Sequence, residues 1–171
     1  MFRSFSQLQS PNLTVIRNGW FTPKYEITDG TYTYARITYK GFLWQHAIAE
    51  TSEAIWNLRL ESFFPRRVMV TNKEDKKVAA IDLGFLKKNA VLTLNGGKSL
   101  QFSKQSFWKS TYFWEDPKRG KILTINAELF TNKVAAMYIH DKVISNPLIP
   151  LLSLLALHLV LVKRRKHVAA A

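Results

Sequence analysis

The sequence contains no cysteine, few acidic residues and only one long apolar run. Without cysteine the protein has no disulfide, no thiolate nucleophile and no cysteine-ligated zinc site. Its 12 Asp and Glu residues stand against 25 Lys and Arg residues, which gives a net charge of +13 over 171 residues. This balance favours contact with phosphates or with anionic lipid.

Recognisable catalytic, nucleotide-binding and metal-binding motifs are also missing. Gly96 and Gly97 are not followed by the Gly-Lys-Ser/Thr sequence that opens a helix in a phosphate loop. No serine lies in a nucleophile elbow. The histidines lack metal-ligand spacing; they are His46, His140, His158 and His167. We therefore predict a non-enzymatic protein with no catalytic residue, metal or cofactor. An enzyme of an unrecognised type is the alternative, because fold does not fix function.

The length and composition predict a single folded domain over residues 1–171. Hydrophobic residues make up 47% of the chain and aromatic residues 13%, which is typical of a folded protein. Residues 1–10 hold no continuous apolar segment of the length that a signal peptide needs. We therefore expect a cytoplasmic protein.

Between about residues 12 and 140, short β-type runs alternate with turn signals, at the spacing of a barrel or sandwich. Asp29 with Gly30 predicts a two-residue hairpin turn, and Asn95 with the two glycines after it gives a second hairpin signal. Residues 54–60 are the least regular run. They fit a strand, or a short helix capped by Thr51 or Ser52. Our count is about twelve strands, so the predicted class is all-β.

The C-terminal segment from residue 147 to residue 162 is apolar apart from Ser153 and His158. Asn146 is a suitable N-cap and Pro147 suits the first helical position. Proline disfavours the interior of a helix, so the regular helix could instead begin at Pro150. We predict an apolar helix over about residues 146–163, followed by a basic tail over residues 163–171.

A helix that is apolar on all sides either spans a membrane or is buried in protein. Sixteen residues reach about 24 Å, against about 30 Å for the hydrocarbon layer. Positively charged residues next to a membrane span prefer the cytoplasmic side. If the cations after the helix lay there, the basic body of the protein would lie outside the cell. Burial of the helix inside the barrel would fill its interior, because a closed barrel of about twelve strands is too wide to fill with its own side chains. We favour a helix that plugs the barrel over a C-terminal membrane anchor.

This order of elements, about twelve mostly antiparallel strands followed by one apolar helix, resembles the tubby-like superfamily. That superfamily includes tubby C-terminal domains, LURP-one-related proteins and phospholipid scramblases. The resemblance covers nearly the whole chain and implies a closed barrel around a central helix, here residues 148–162. It also implies association with phosphoinositides or other anionic lipids. The family's acidic calcium-binding cluster has no counterpart, since Glu74 and Asp75 form a lone pair in a lysine-rich turn.

Clustered cations are the candidate lipid-binding residues, since cations beside an apolar segment suit an anionic surface. For the first group, after the apolar run, we slightly favour the alternative of a solvated helix end that suits the helix dipole. Two further pairs lie in turn-like regions, where solubilising charges are common. The candidates are Lys163, Arg164, Arg165, Lys166, Arg66, Arg67, Lys87 and Lys88.

Aromatic and basic residues are interleaved between residues 102 and 114, an arrangement that can stack on single-stranded nucleic acid. At strand spacing, the same residues more often fill a core, which is the interpretation we favour. They are Phe102, Lys104, Phe107, Trp108, Lys109, Tyr112, Phe113 and Trp114. The sequence thus predicts a tubby-like barrel in the cytoplasm, peripheral to a membrane, that binds anionic phospholipid or a protein partner and not nucleic acid. The alternative is a basic β-domain anchored as an integral membrane protein by its last helix.

Overall fold

The computed structural model describes residues 1–19, 22–41, 46–63, 66–84, 89–106, 108–127 and 133–169, with side chains except at 62, 63 and 166–169. Within these ranges lie twelve strands, one α-helix and two short 3-10 helices, Phe5–Gln7 and Asp141–Val143. The strands are β1 (Asn12–Asn18), β2 (Lys24–Thr28), β3 (Thr33–Lys40), β4 (His46–Thr51), β5 (Ile55–Phe63), β6 (Arg66–Asn72), β7 (Lys77–Asp82), β8 (Ala90–Leu94), β9 (Ser99–Lys104), β10 (Thr111–Asp116), β11 (Gly120–Ala127) and β12 (Lys133–Ile139). The helix α1 is Ile149–Ala169.

The strands form a closed antiparallel barrel in which each strand pairs with the strands before and after it in the chain. Pairing of β1 with β12 closes the ring, with Leu13 opposite Met137. Closure leaves no strand edge exposed to another chain. The predicted all-β class and closed barrel of about twelve strands are confirmed.

Side chains alternate between the inside and the outside of the barrel, as the two-residue period of a strand requires. In β4, Ala47, Ala49 and Thr51 are buried, whereas the residues between them are half-buried. Residues 55–63 also form a strand, which pairs with β4 on one side and β6 on the other. The strand interpretation of residues 54–60 is therefore confirmed, with the strand beginning at Ile55.

The hairpin predicted at Asp29 and Gly30 is confirmed by the antiparallel pairing of β2 with β3, but the predicted two-residue length of its turn is wrong. The strands around it end at Thr28 and resume at Thr33, so the connection is longer. Asp29 Oδ1 accepts hydrogen bonds from the backbone N–H groups of Thr31 and Tyr32, at 2.9 and 2.8 Å. An aspartate that bonds its own downstream backbone holds a wider turn.

Helix α1 lies inside the barrel. It contacts β3 on one side of the ring and β10 and β11 on the other. Every residue from 149 to 161 is buried, and the Ile, Leu, Ala and Val residues among them share one core cluster with the inward side chains of the strands. The helix is apolar on all sides because barrel wall surrounds it. The favoured prediction of a helical plug is confirmed.

The predicted helix end at residue 163 is wrong, and the helix starts at Ile149, within one residue of the alternative start at Pro150 and after the predicted cap at Asn146. Asn146 Oδ1 accepts a hydrogen bond from Leu148 N at 3.0 Å, but this turn precedes the helix, which begins at Ile149. At the other end the helix continues through the basic run to Ala169. Lysine and arginine favour helices, and cations suit a helix C-terminus, so the predicted basic tail is mostly helical.

Among the residues that the structure describes, no helix is both long enough and apolar enough to cross a bilayer.

Two hydrogen bonds between polar groups join the helix to the barrel wall. The hydroxyl of Tyr39 lies 2.9 Å from His158 Nδ1, and Trp114 Nε1 donates to the carbonyl of Leu152 at 3.0 Å. Burial lowers the pKa of His158 to about 4, so the ring is neutral at physiological pH. Burial also raises the pKa of Tyr39. These bonds fix how far the helix lies along the barrel axis and how it is rotated.

Candidate functional site: the basic end of the barrel

The alternating strand directions give the barrel two chemically different ends. At one end, which we call the basic end, the odd-numbered strands finish and the even-numbered strands begin. Helix α1 also finishes there, because Lys163 lies against Tyr112, the second residue of β10. The other end, where the helix begins, we call the far end.

Positive charge is concentrated at the basic end. Among the described residues, the cations within or next to the strand ends and the helix end there are Arg17, Lys24, Lys40, Arg66, Arg67, Lys104, Lys109, Lys133, Lys163, Arg164 and Arg165. The carboxylates in the corresponding described positions are Glu26, Glu61 and Asp82, and Glu26 is paired with Arg36 at 2.7 Å. This imbalance leaves a strong positive potential over one end of the barrel.

The far end carries charges of both signs. Its described carboxylates include Asp29, Glu53, Glu74, Asp75, Asp116 and Asp141, and its cations include Arg3, Lys73, Lys76, Lys77, Lys98, Lys118, Arg119 and Lys142. Lys98 pairs with Asp116 at 3.0 Å. A hydrogen bond from the Lys118 backbone, together with Lys98, lowers the pKa of Asp116. Neighbouring charges of opposite sign thus offset one another at this end.

Aromatic rings support the cations at the helix end. Lys163 Nζ lies 4.9 Å from the ring centre of Tyr112 and 5.7 Å from that of Phe102. Lys104 Nζ approaches the Tyr112 ring at 6.0 Å. A cation over an aromatic face is held by the negative charge of that face. The ammonium groups of Lys104 in β9 and Lys163 in α1 therefore both lie near the Tyr112 ring.

Arg164 extends the basic surface from β10 to β2. Burial raises the pKa of both Tyr25 and Tyr112, and the charge of Arg164 acts against that rise at each phenol. Arg17 and Arg165 act in the same direction at Tyr25. The phenols stay protonated at neutral pH and add no negative charge.

Arg66 and Arg67 begin β6 and so lie at the same end as the helix cations. Arg67 Nε donates to Asp82 Oδ1 at 2.7 Å, across the β6–β7 pair. Arg66 carries no such ion pair among the described residues. The structure thus places these two candidates and Lys163, Arg164 and Arg165 at one end. Lys87 and Lys88 lie outside the described residues, and so does the side chain of Lys166.

The aromatic and basic stretch from residue 102 to residue 114 does not form a single surface. Phe102, Tyr112 and Trp114 are buried in the core, as the favoured interpretation predicted. Phe113 lies on the outer face of β10, with Lys121 Nζ at 4.3 Å from its ring centre. Trp108 is 90% exposed. Phe107 lies outside the described residues.

Each histidine whose side chain is described lies within hydrogen-bonding distance of a polar side chain. His46 Nε2 lies 3.3 Å from Asn57 Oδ1, and His140 Nε2 lies 3.2 Å from Thr124 Oγ1. The side chain of His167 lies outside the described set. Within the described part of the chain, no group of three or more His, Asp or Glu residues could hold a metal ion.

Sequence reasoning missed the single cations at the strand ends. Lys24, Lys40 and Lys133 stand alone in the sequence, so they form no visible run, whereas Lys104 and Lys109 were noted only as part of the aromatic and basic stretch. The available signal was their position, since each adjoins a strand end at the basic end. A correct strand count shows that these residues adjoin the ends of odd-numbered strands or the starts of even-numbered strands. It would have grouped them with the helix cations.

Comparison of the chain with protein-family models, with curated proteins and with solved structures gave no match.

Proposed function

We propose that the protein is a non-enzymatic, peripheral membrane protein that binds the anionic phospholipid surface through the basic end of its barrel. The observation that carries this proposal is the separation of charge between the two ends. The eleven described cations at the basic end stand against three carboxylates, Glu26, Glu61 and Asp82, whereas charges at the far end are mixed.

The strength of such binding follows from membrane electrostatics. Each Lys or Arg near an anionic leaflet contributes about 1 kcal/mol, and the attraction fades within a Debye length. A barrel that docks with its axis along the membrane normal brings many of these cations near the surface together. A few kcal/mol of attraction is enough to concentrate a protein on a membrane.

The same charges would attract nucleic acid, but the aromatic placement favours lipid. Binding of single strands needs several exposed rings on which successive bases stack. In the stretch that could have supplied them, Phe102, Tyr112 and Trp114 are buried, and Trp108 is the exposed ring among the described residues. The described surface of this stretch thus has positive charge but not the several exposed rings that bases would stack on.

The membrane-anchored alternative has a different requirement. To insert in a bilayer, α1 would have to leave the barrel, separating the Tyr39–His158 and Trp114–Leu152 pairs. The position of the helix therefore favours peripheral binding. The resemblance to the tubby-like superfamily stays a prediction, and the lipid proposal rests on the placement of charge.

Vesicle flotation of the purified protein tests the proposal. We expect binding to vesicles that contain phosphatidylserine and little binding to vesicles of phosphatidylcholine alone. Raising the salt from about 0.1 M to about 1 M shortens the Debye length from about 10 to about 3 Å and should release the protein. Equal binding to both compositions, or no binding to either, would contradict the proposal.

A further inference from the structure

Trp108 is a large apolar side chain in an unusual position. It lies in the connection between β9 and β10, at the basic end, and it is 90% exposed. Of the other exposed large hydrophobic residues that the structure describes, Tyr32 and Ile55 are 43% and 41% exposed and lie at the far end. The indole therefore extends further into solvent than any other described ring.

The immediate surroundings of Trp108 are cationic. Lys109 follows it in the chain and is exposed, and Lys104 ends the strand before it. Lys163 and Lys104 both lie over the Tyr112 ring at the start of the next strand. An exposed indole among cations matches the boundary of an anionic bilayer. There an indole places its ring among the upper acyl chains and its N–H among headgroups, while cations meet lipid phosphates.

We propose that the barrel docks end-on and inserts Trp108 into the interfacial layer of the membrane. This inference rests on the proposed function and specifies how the same end binds. The cations supply long-range, salt-sensitive attraction, and Trp108 supplies a short-range apolar contact that salt does not screen. The partner is then the headgroup and upper acyl region of a lipid bilayer, not the charged surface alone.

Replacing Trp108 by alanine tests the apolar contact. Because the side chain is exposed, folding should be unaffected, which thermal unfolding checks. We expect Trp108→Ala to bind phosphatidylserine vesicles about tenfold more weakly, with an unchanged dependence on salt. Tyr32→Ala at the far end is the matched control and should bind as the wild type does. Equal vesicle affinity of Trp108→Ala and wild type would overturn the insertion.

The absence of cysteine allows a direct measurement of depth. Trp108→Cys and, at the far end, Lys118→Cys can each carry one environment-sensitive fluorophore. On phosphatidylserine vesicles, the label at 108 should shift to the blue and be quenched by brominated lipid, while the label at 118 should do neither.

The two proposals fail in different ways. If the wild type binds vesicles but the label at 108 stays in a watery environment, insertion is wrong and surface binding stands. Binding of the wild type to no vesicle would overturn both proposals. Quenching of the label at 118 with no quenching at 108 would overturn docking through the basic end.

Discussion

Acidification should destabilise the protein through His158. The ring is buried inside the barrel, within 2.9 Å of the Tyr39 hydroxyl, and its pKa is lowered to about 4 by burial. In the unfolded chain the ring has its ordinary value of about 6.5. Between these values the unfolded state binds a proton that the folded state does not, so stability falls as the pH falls.

The magnitude follows from the two pKa values. A difference from 6.5 to about 4 corresponds to about 3 kcal/mol when the pH falls below both values. Between pH 7 and pH 5 the loss is about 2 kcal/mol. His140, whose pKa burial also lowers, adds to the loss with the same sign. Tyr39 and Tyr25, which lie beside the helix, have raised pKa values and stay neutral throughout.

Urea unfolding at pH 7 and pH 5 measures this loss. The control is the double variant Tyr39→Phe with His158→Leu, which removes both hydrogen-bonding groups and leaves neither unpaired. Because it retains His140, the difference between the two proteins isolates His158. The wild type should lose about 2 kcal/mol more than the double variant between the two pH values. The same pH dependence in both would refute the burial of this histidine in the barrel.

Other substitutions test the packing of the helix. Leu155→Ala, at a site that is 0% exposed, should lower the free energy of urea unfolding by about 2–5 kcal/mol, because it leaves a cavity; no change would contradict the plug. Trp114→Phe removes the donor to the Leu152 carbonyl and should cost about 1–3 kcal/mol in the same assay. Exposed Lys118→Gln should leave stability within about 0.5 kcal/mol of wild type, and a larger loss would indicate an unseen structural role.

Much of the fold follows from local sequence. Alternation with a two-residue period and regularly spaced turn signals determine where the strands lie. The apolar run without a polar face limits α1 to burial in protein or in a membrane, and the wide interior of a barrel of about twelve strands favours burial in protein. The end of the helix was harder to predict, because the change from apolar to basic residues after Val162 marks where the helix leaves the core, not where it stops.

The basic end could be predicted only in part. Whether a strand is odd- or even-numbered decides at which end of the barrel its following connection lies. An error of one strand in the count therefore moves every later connection to the opposite end. Residues 54–60 fitted either a strand or a helix, which left that parity open. The grouping of Arg66 with Lys163 needs the barrel to close in register, and register is a property of pairing between distant strands.

The most direct test of docking compares two triple variants in vesicle flotation. One carries glutamine at Lys24, Lys40 and Lys109, which are exposed at the basic end; the other carries it at Lys76, Lys118 and Lys142, which are exposed at the far end. Both lose the same charge. The basic-end variant should lose about 3 kcal/mol of binding, or about 100-fold in affinity for phosphatidylserine vesicles. The far-end variant should bind nearly as the wild type does. Equal losses in the two variants would show that net charge alone drives binding and would contradict a basic docking end.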